Sequence, residues 1–187
     1  MSGSRSTRSV ASGLVVLAIL LGVGACAISL PGQGASAPGS GRALDADDGV
    51  VPAGHPLSPF DDVPAISKLD PDLLDAVREA AQAAEADGFE FFVESGWRSA
   101  DYQQSLFDDA VDEYGSASEA ERHVSTPEDS HHVSGEAVDI GPTDAMSWLQ
   151  QHGDRFSLCQ PFSNEMWHWE LAPAPGEPCP PQSGDAG

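Results

Sequence analysis

Ser130-His131-His132-Val133-Ser134-Gly135-Glu136-Ala137-Val138-Asp139 lies where this 187-residue chain changes from helical patterning to strands. Gly135 permits a turn, and Ala137 to Ile140 reads as a short strand that carries Asp139. Toward the N-terminus, Asp70 caps and Pro71 opens a helix through Asp87, with Leu73, Leu74, Val77, Ala81 and Ala84 on one face and Gly88 as the stop. Phe89 to Val93 then reads as a strand ending at Ser95-Gly96. A second helix is expected over Ala100 to Tyr114, where Leu106, Phe107, Ala110, Val111 and Tyr114 recur at helical spacing before Gly115. Ser116 to Asp129 is polar and reads as a loop. Toward the C-terminus, Thr143 can cap a third helix through His152, stopped by Gly153. Phe156 to Cys159 and Met166 to Leu171 follow as strands. Helices first and strands later predict an α+β fold, a small antiparallel sheet flanked by helices, in a single domain over residues 60–175.

The ends read differently. Arg5 and Arg8 precede a run from Ser9 to Leu30 without a charge, apolar at its centre from Leu14 to Val23. Residues 1–30 therefore read as an export signal or a membrane anchor. Val23-Gly24-Ala25-Cys26 also resembles a bacterial lipobox, in which Cys26 would be lipidated, although Gly24 fits that pattern imperfectly. Lipoprotein, uncleaved anchor and secreted protein all place the domain outside the cytoplasm. Residues 31–59, rich in Gly, Pro, Ala and Ser, read as a flexible linker, and residues 176–187 as a loose tail tethered at Cys179.

Lys and Arg number 8 against 30 Asp and Glu, for a formal charge of −22. Such a surface repels nucleic acid, and no basic stripe offsets it. Cys159 and Cys179 remain as a pair in the exported part, which favours a disulfide in an oxidising compartment over a metal pair.

The chemistry-bearing residues fall in three segments. His132 and Asp139, on a loop and its following strand, can face one pocket. Trp167-His168-Trp169 sits in an expected strand, so His168 points opposite to its aromatic neighbours. Glu165 stands near that strand's entrance. Two imidazoles and a carboxylate are a sufficient ligand set for one catalytic zinc, with a second carboxylate to activate water. In Ser95-Gly96-Trp97-Arg98-Ser99, Arg98 follows a strand and precedes a helix, where a guanidinium can neutralise an oxyanion. Each segment alone also admits a bland reading: a chance His and Asp, a core-edge histidine, a surface ion pair.

In combination, Arg98-Ser99 with Gln103, then Ser130 to Asp139, then Glu165 to His168 resemble the zinc D-alanyl-D-alanine carboxypeptidases of the VanY type, related to the VanX D,D-dipeptidases. The resemblance covers about residues 60 to 172. It implies that His132, Asp139 and His168 bind one zinc, with Glu165 as general base and Arg98 as electrostatic stabiliser. Ser130 and Gln103 would contact substrate. His131 occupies a variable position of the pattern and is excluded as a ligand, and His55, His123 and His152 match nothing and are expected at the surface. Met166 stands where the family usually has Pro, and Glu136 where it usually has an apolar residue. The implied reaction is hydrolysis of the terminal D-Ala-D-Ala bond of peptidoglycan stem peptides, by a monomer tethered to the membrane through its N-terminal segment. A D,D-dipeptidase or an L-alanyl-D-glutamate endopeptidase would share these motifs, and a wall-binding module without activity would be expected to have lost one of them. The 116–129 loop and the tail clipped by Cys179 are expected to shape the cleft.

Overall fold

Asp70 begins the longest helix by accepting hydrogen bonds from the Asp72 and Leu73 amides, ahead of Pro71 at the first helical position. The structure, a computed structural model, describes residues 42–174 and 176–184. The export or anchor segment with Cys26 and the first part of the linker lie outside the described residues. Among the described residues no helix is long and apolar enough to cross a membrane.

The elements are α1 (Pro64–Ser67), α2 (Pro71–Ala86), β1 (Phe92–Ser95), α3 (Ala100–Tyr114), α4 (Ala117–Ala120), α5 (His131–Ser134), β2 (Ala137–Gly141), α6 (Thr143–His152), β3 (Leu158–Cys159) and β4 (His168–Leu171). The four strands form one antiparallel sheet in the order β1-β2-β4-β3, which bears out the α+β expectation. Helix α2 buries Leu73, Leu74, Val77, Ala80, Ala81 and Ala84 in a core that also takes Val93, Val138, Ile140, Leu158 and Trp169 from the sheet and Trp148 and Leu149 from α6. Fully burying a leucine or valine contributes roughly 1.5–3 kcal/mol, so this one helix face is a large part of the domain's stability. Side chains alternate along β2: Val138 and Ile140 enter the core, which leaves Asp139 on the opposite face.

Several boundaries differ from the sequence reading. The strand expected from Phe89 starts at Phe92, because the Phe89 amide is bonded to the Ala84 carbonyl at the end of α2. Thr143 does not cap α6, since Pro142 holds the cap position without a side-chain bond. Gly153 does not stop the chain's helical path either, which continues as a 3-10 turn to Phe156. A β-carbon on Gly153 would lie 3.0 Å from the Leu158 carbonyl oxygen and 3.2 Å from the Trp169 ring, so glycine is there for close packing.

Residues 42–59, read as linker from composition, pack on the domain. Residues 42–59 carry a 3-10 turn over Ala46–Asp48 closed by a capping box from Asp45 and Asp48. Leu57 pairs with Val93 of β1 through two backbone bonds of 2.9 and 2.8 Å. The expected disulfide between Cys159 and Cys179 is formed. The tail is also held beyond it, since Ser163 donates to the Ser183 carbonyl and Ser183 to that of Pro161.

Candidate active site

Helix α5 is a single turn that ends at Gly135, whose φ of +84° belongs to the left-handed region. This reversal brings His132 back over β2, which the sequence reading had placed on a loop. Asp139 and His168 are register partners across β2 and β4. The neighbouring Ile140 amide donates to the Trp167 carbonyl, so Asp139 and His168 occupy a non-hydrogen-bonded pair, the closer of the two antiparallel kinds.

The result is three buried side chains with ligand atoms within 4.8 Å of one another. His132 Nε2 lies 3.3 Å and His168 Nδ1 3.4 Å from Asp139 Oδ1. The outer nitrogen of each imidazole is already engaged. His132 Nδ1 donates to the Gly96 carbonyl at 2.8 Å, and His168 Nε2 donates to Glu170 Oε1 at 2.8 Å. These bonds fix the tautomers so that Nε2 of His132 and Nδ1 of His168 present lone pairs inward. Asp139 Oδ1 meets them as a buried oxygen without a hydrogen-bond partner. Three acceptors aimed at one point is the arrangement a divalent cation satisfies, and nitrogen, nitrogen and carboxylate oxygen suit zinc.

Neighbouring charge and burial act on each of these groups. Burial alone would lower the His168 pKa, yet the carboxylates of Asp139 and Glu170 beside it hold it up at about 9. Burial opposes ionisation of Asp139 too, but His132, His168 and Arg98 hold its carboxyl well below the usual range. His132 is lowered, chiefly by burial.

Arg98 is more closely committed than its expected role implied. Its Nε donates to Ser95 Oγ at 2.9 Å, Nη1 to Gln103 Oε1 at 3.1 Å, and Nη2 to Asp139 Oδ2 at 2.8 Å. The last bond occupies the outer oxygen of Asp139 and leaves Oδ1 to the centre. Two N–H groups of the guanidinium remain beyond these three bonds. Gln103, expected to touch substrate, is 1% exposed and uses both ends of its amide, accepting from Arg98 and donating to the Ser125 carbonyl. It thereby supports the arginine from α3 while lining the cleft.

Glu165 Oε2 stands 3.8 Å from His168 Nδ1, and burial pushes its carboxyl pKa up. Ser130 lines the cleft and makes no side-chain cap on α5. The cleft holds about 680 Å³ and runs from Arg98 past the three acceptors to Phe162 and Trp167. His123, Val124, Ser125 and Asp129 of the 116–129 segment help line it, whereas tail residues Cys179, Pro180 and Gln182 border a separate hollow. Trp167 precedes β4 instead of sharing a face with Trp169: it is 40% exposed and lines the cleft, while Trp169 is in the core.

His131, excluded as a ligand, is half exposed, and its Nδ1 lies 2.9 Å from Glu170 Oε1. Glu170 itself was missed. Its carboxyl pKa falls to about 2 because bonds from His131 and His168 outweigh its burial. The signal was present, since a residue two positions after His168 in a strand shares its face. His55 and His123 are at the surface, and His152 packs edge-on against Trp148.

Residues 66–174 match the family model of VanY, described as D-alanyl-D-alanine carboxypeptidase. A D-alanyl-D-alanine carboxypeptidase of Enterococcus faecalis (strain ATCC 700802 / V583) is 30% identical over 118 residues, which is 50% of this chain and 44% of that protein. The chain thus spans less than half the length of that relative. Among solved structures, VanYB in complex with D-alanine-D-alanine is 29% identical with a TM-score of 0.52, covering 55% of this chain and 71% of the other. A substituted form of the vancomycin resistance D,D-pentapeptidase VanY from the VanB-type cassette, in complex with Zn(II), is 27% identical with a TM-score of 0.52, covering 55% and 72%. With the matched span running from α1 through all three acceptors to the end of β4, the chain belongs to the VanY family.

Proposed function

We propose that the chain is a zinc-dependent D,D-carboxypeptidase that removes the terminal D-alanine from peptidoglycan stem peptides. The observation that carries this reading is the convergence of His132 Nε2, Asp139 Oδ1 and His168 Nδ1 on one point beside Glu165 and Arg98. The VanY match and the relatives bound to Zn(II) and to D-alanine-D-alanine support it.

His132, Asp139 and His168 would hold the zinc, which when bound supplies positive charge that acidifies a water to a pKa of about 7 and polarises a carbonyl. Glu165, with its pKa raised by burial, takes a proton from the attacking water. It then delivers that proton to the amine nitrogen of the departing D-alanine. The two N–H groups that Arg98 keeps free of Ser95, Gln103 and Asp139 offset charge on the former carbonyl oxygen. Ser130, on the cleft wall, offers a hydroxyl to the peptide.

The domain works outside the cytoplasm as a monomer, held at the membrane through lipidated Cys26 or an uncleaved N-terminal segment. The charge-free run from Ser9 to Leu30 and the Cys159–Cys179 disulfide support that placement. Mass spectrometry of the mature N-terminus distinguishes lipid from uncleaved segment. For the reaction, the test is product identity with a stem pentapeptide. Free D-alanine is the expected product, and release of the D-Ala-D-Ala dipeptide would move the assignment to a dipeptidase or endopeptidase on the same scaffold.

A further inference from the structure

The family match begins at residue 66, yet the segment before it is folded against the loop that carries Arg98. Asp48 is the contact. It is 3% exposed, unusual for an aspartate unless its oxygens are bonded. Oδ1 accepts from Ser99 Oγ at 3.0 Å and from Arg42 Nη2 at 2.7 Å, and Oδ2 accepts from the Asp45 amide at 3.1 Å. The Asp48 carbonyl accepts from the Ser99 amide at 2.8 Å. The next residue, Gly49, has φ of +87°, and a β-carbon there would lie 2.0 Å from the Trp97 carbonyl oxygen. The segment therefore lies directly on the Trp97 peptide.

The other side of the loop is held by α1 and α5. The Trp97 amide donates to the Ala65 carbonyl at 2.9 Å, and the Arg98 amide donates to the His132 carbonyl at 3.1 Å. Ser99 caps α3 by accepting from the Tyr102 amide at 3.1 Å. Its single hydroxyl proton goes to Asp48, which directs its lone pairs to that cap. Arg98 thus sits between an amide fixed by His132 and an amide fixed by Asp48, and its guanidinium reaches Asp139 from that base.

We propose that Asp48, outside the span shared with the family, is a positioning residue for Arg98, so that full catalytic rate requires the segment preceding the family domain. The kinetic part rests on the carboxypeptidase reading. A carboxylate is needed because Asn would replace one of two accepting oxygens with a donor facing either the Asp45 amide or the Arg42 guanidinium.

The test uses Asp48→Asn and Gly49→Ala in the full chain. The second variant keeps the charge and displaces the segment from Trp97. Both are expected to fold, because the core is built from residue 57 onward. With a stem pentapeptide, each should lower kcat between about 10- and 100-fold. KM and zinc affinity should stay within about twofold. Neither should lower activity further in an Arg98→Ala background. An unchanged kcat, or an equal loss with and without Arg98, would overturn the proposal. Hydrogen exchange reads the brace without substrate: the Trp97 to Ser99 amides should exchange at least about tenfold faster in Asp48→Asn while those of α2 do not change. Unchanged exchange there overturns the proposal too. A wild-type protein that releases no D-alanine would overturn the carboxypeptidase reading, and exchange would still decide whether Asp48 holds the loop.

Discussion

Asp139 and His168 face each other across β2 and β4, and Asp139 divides its two oxygens between different tasks. Oδ2 is bound by Arg98 Nη2 at 2.8 Å, while Oδ1 lies 3.4 Å from His168 Nδ1 with no hydrogen-bond partner. One carboxylate therefore touches both the Arg98 guanidinium and the point on which the three acceptors converge.

Glu170 anchors the far nitrogen of His168, and its removal should loosen the metal without touching a ligand. For Glu170→Ala, zinc affinity measured against a chromogenic chelator is expected to fall about 10- to 100-fold. Unaltered affinity would show that the β4 backbone alone orients the imidazole.

Arg98 reaches Ser95, Gln103 and Asp139 with three different nitrogens, which a lysine ammonium on a flexible stem cannot reproduce. Arg98→Lys should lower kcat by about 10²–10³ despite the conserved charge. Wild-type turnover in this variant would mean that only net charge matters there.

Asp48 gives a pH signature far from the cation centre. Burial pushes its carboxyl up, but bonds from the Asp45 amide, Ser99 and Arg42 win and hold it below the usual value. A lowered folded pKa stabilises above the unfolded value of about 3.9 and is lost as pH falls through the folded one. In urea unfolding, the advantage of wild type over Asp48→Asn should be full at pH 6 and shrink below about pH 4. A gap that does not vary with pH would contradict this.

The Cys159–Cys179 bridge closes a loop with a sequence separation of 20. Replacing both cysteines by serine should cost about 3 kcal/mol of unfolding free energy through the chain entropy of that loop. Zinc affinity should not change, because the tail borders a hollow other than the cleft. Loss of zinc in this variant would place the tail in the site's support.

His132, Asp139, His168, Glu165 and Arg98 line one cleft as their motifs implied, because each lies in a short segment whose spacing sets its direction. The residues that hold them were not. Glu170 follows His168 at strand spacing, but nothing in the sequence says that His131 will meet it from α5. Asp48 was counted with a linker on composition, and only the folded loop shows that its carboxylate belongs to Ser99. Gln103 was assigned to substrate by the resemblance, and helical spacing alone does not show that its amide also meets the Arg98 guanidinium. Strand starts shifted where a local cap competed, as at Phe89 after α2.

Zinc content and D-alanine release, followed together on one sample, bear most directly on the proposed chemistry. Protein stripped with a chelator should release no D-alanine from a stem pentapeptide. Activity should return in proportion to added zinc and saturate at one ion per chain. Glu165→Gln should bind that ion with unchanged stoichiometry yet lose about 10²–10⁴ in rate. Full turnover by the stripped protein, or by Glu165→Gln, would contradict the assignment of His132, Asp139 and His168 to the metal and of Glu165 to the proton.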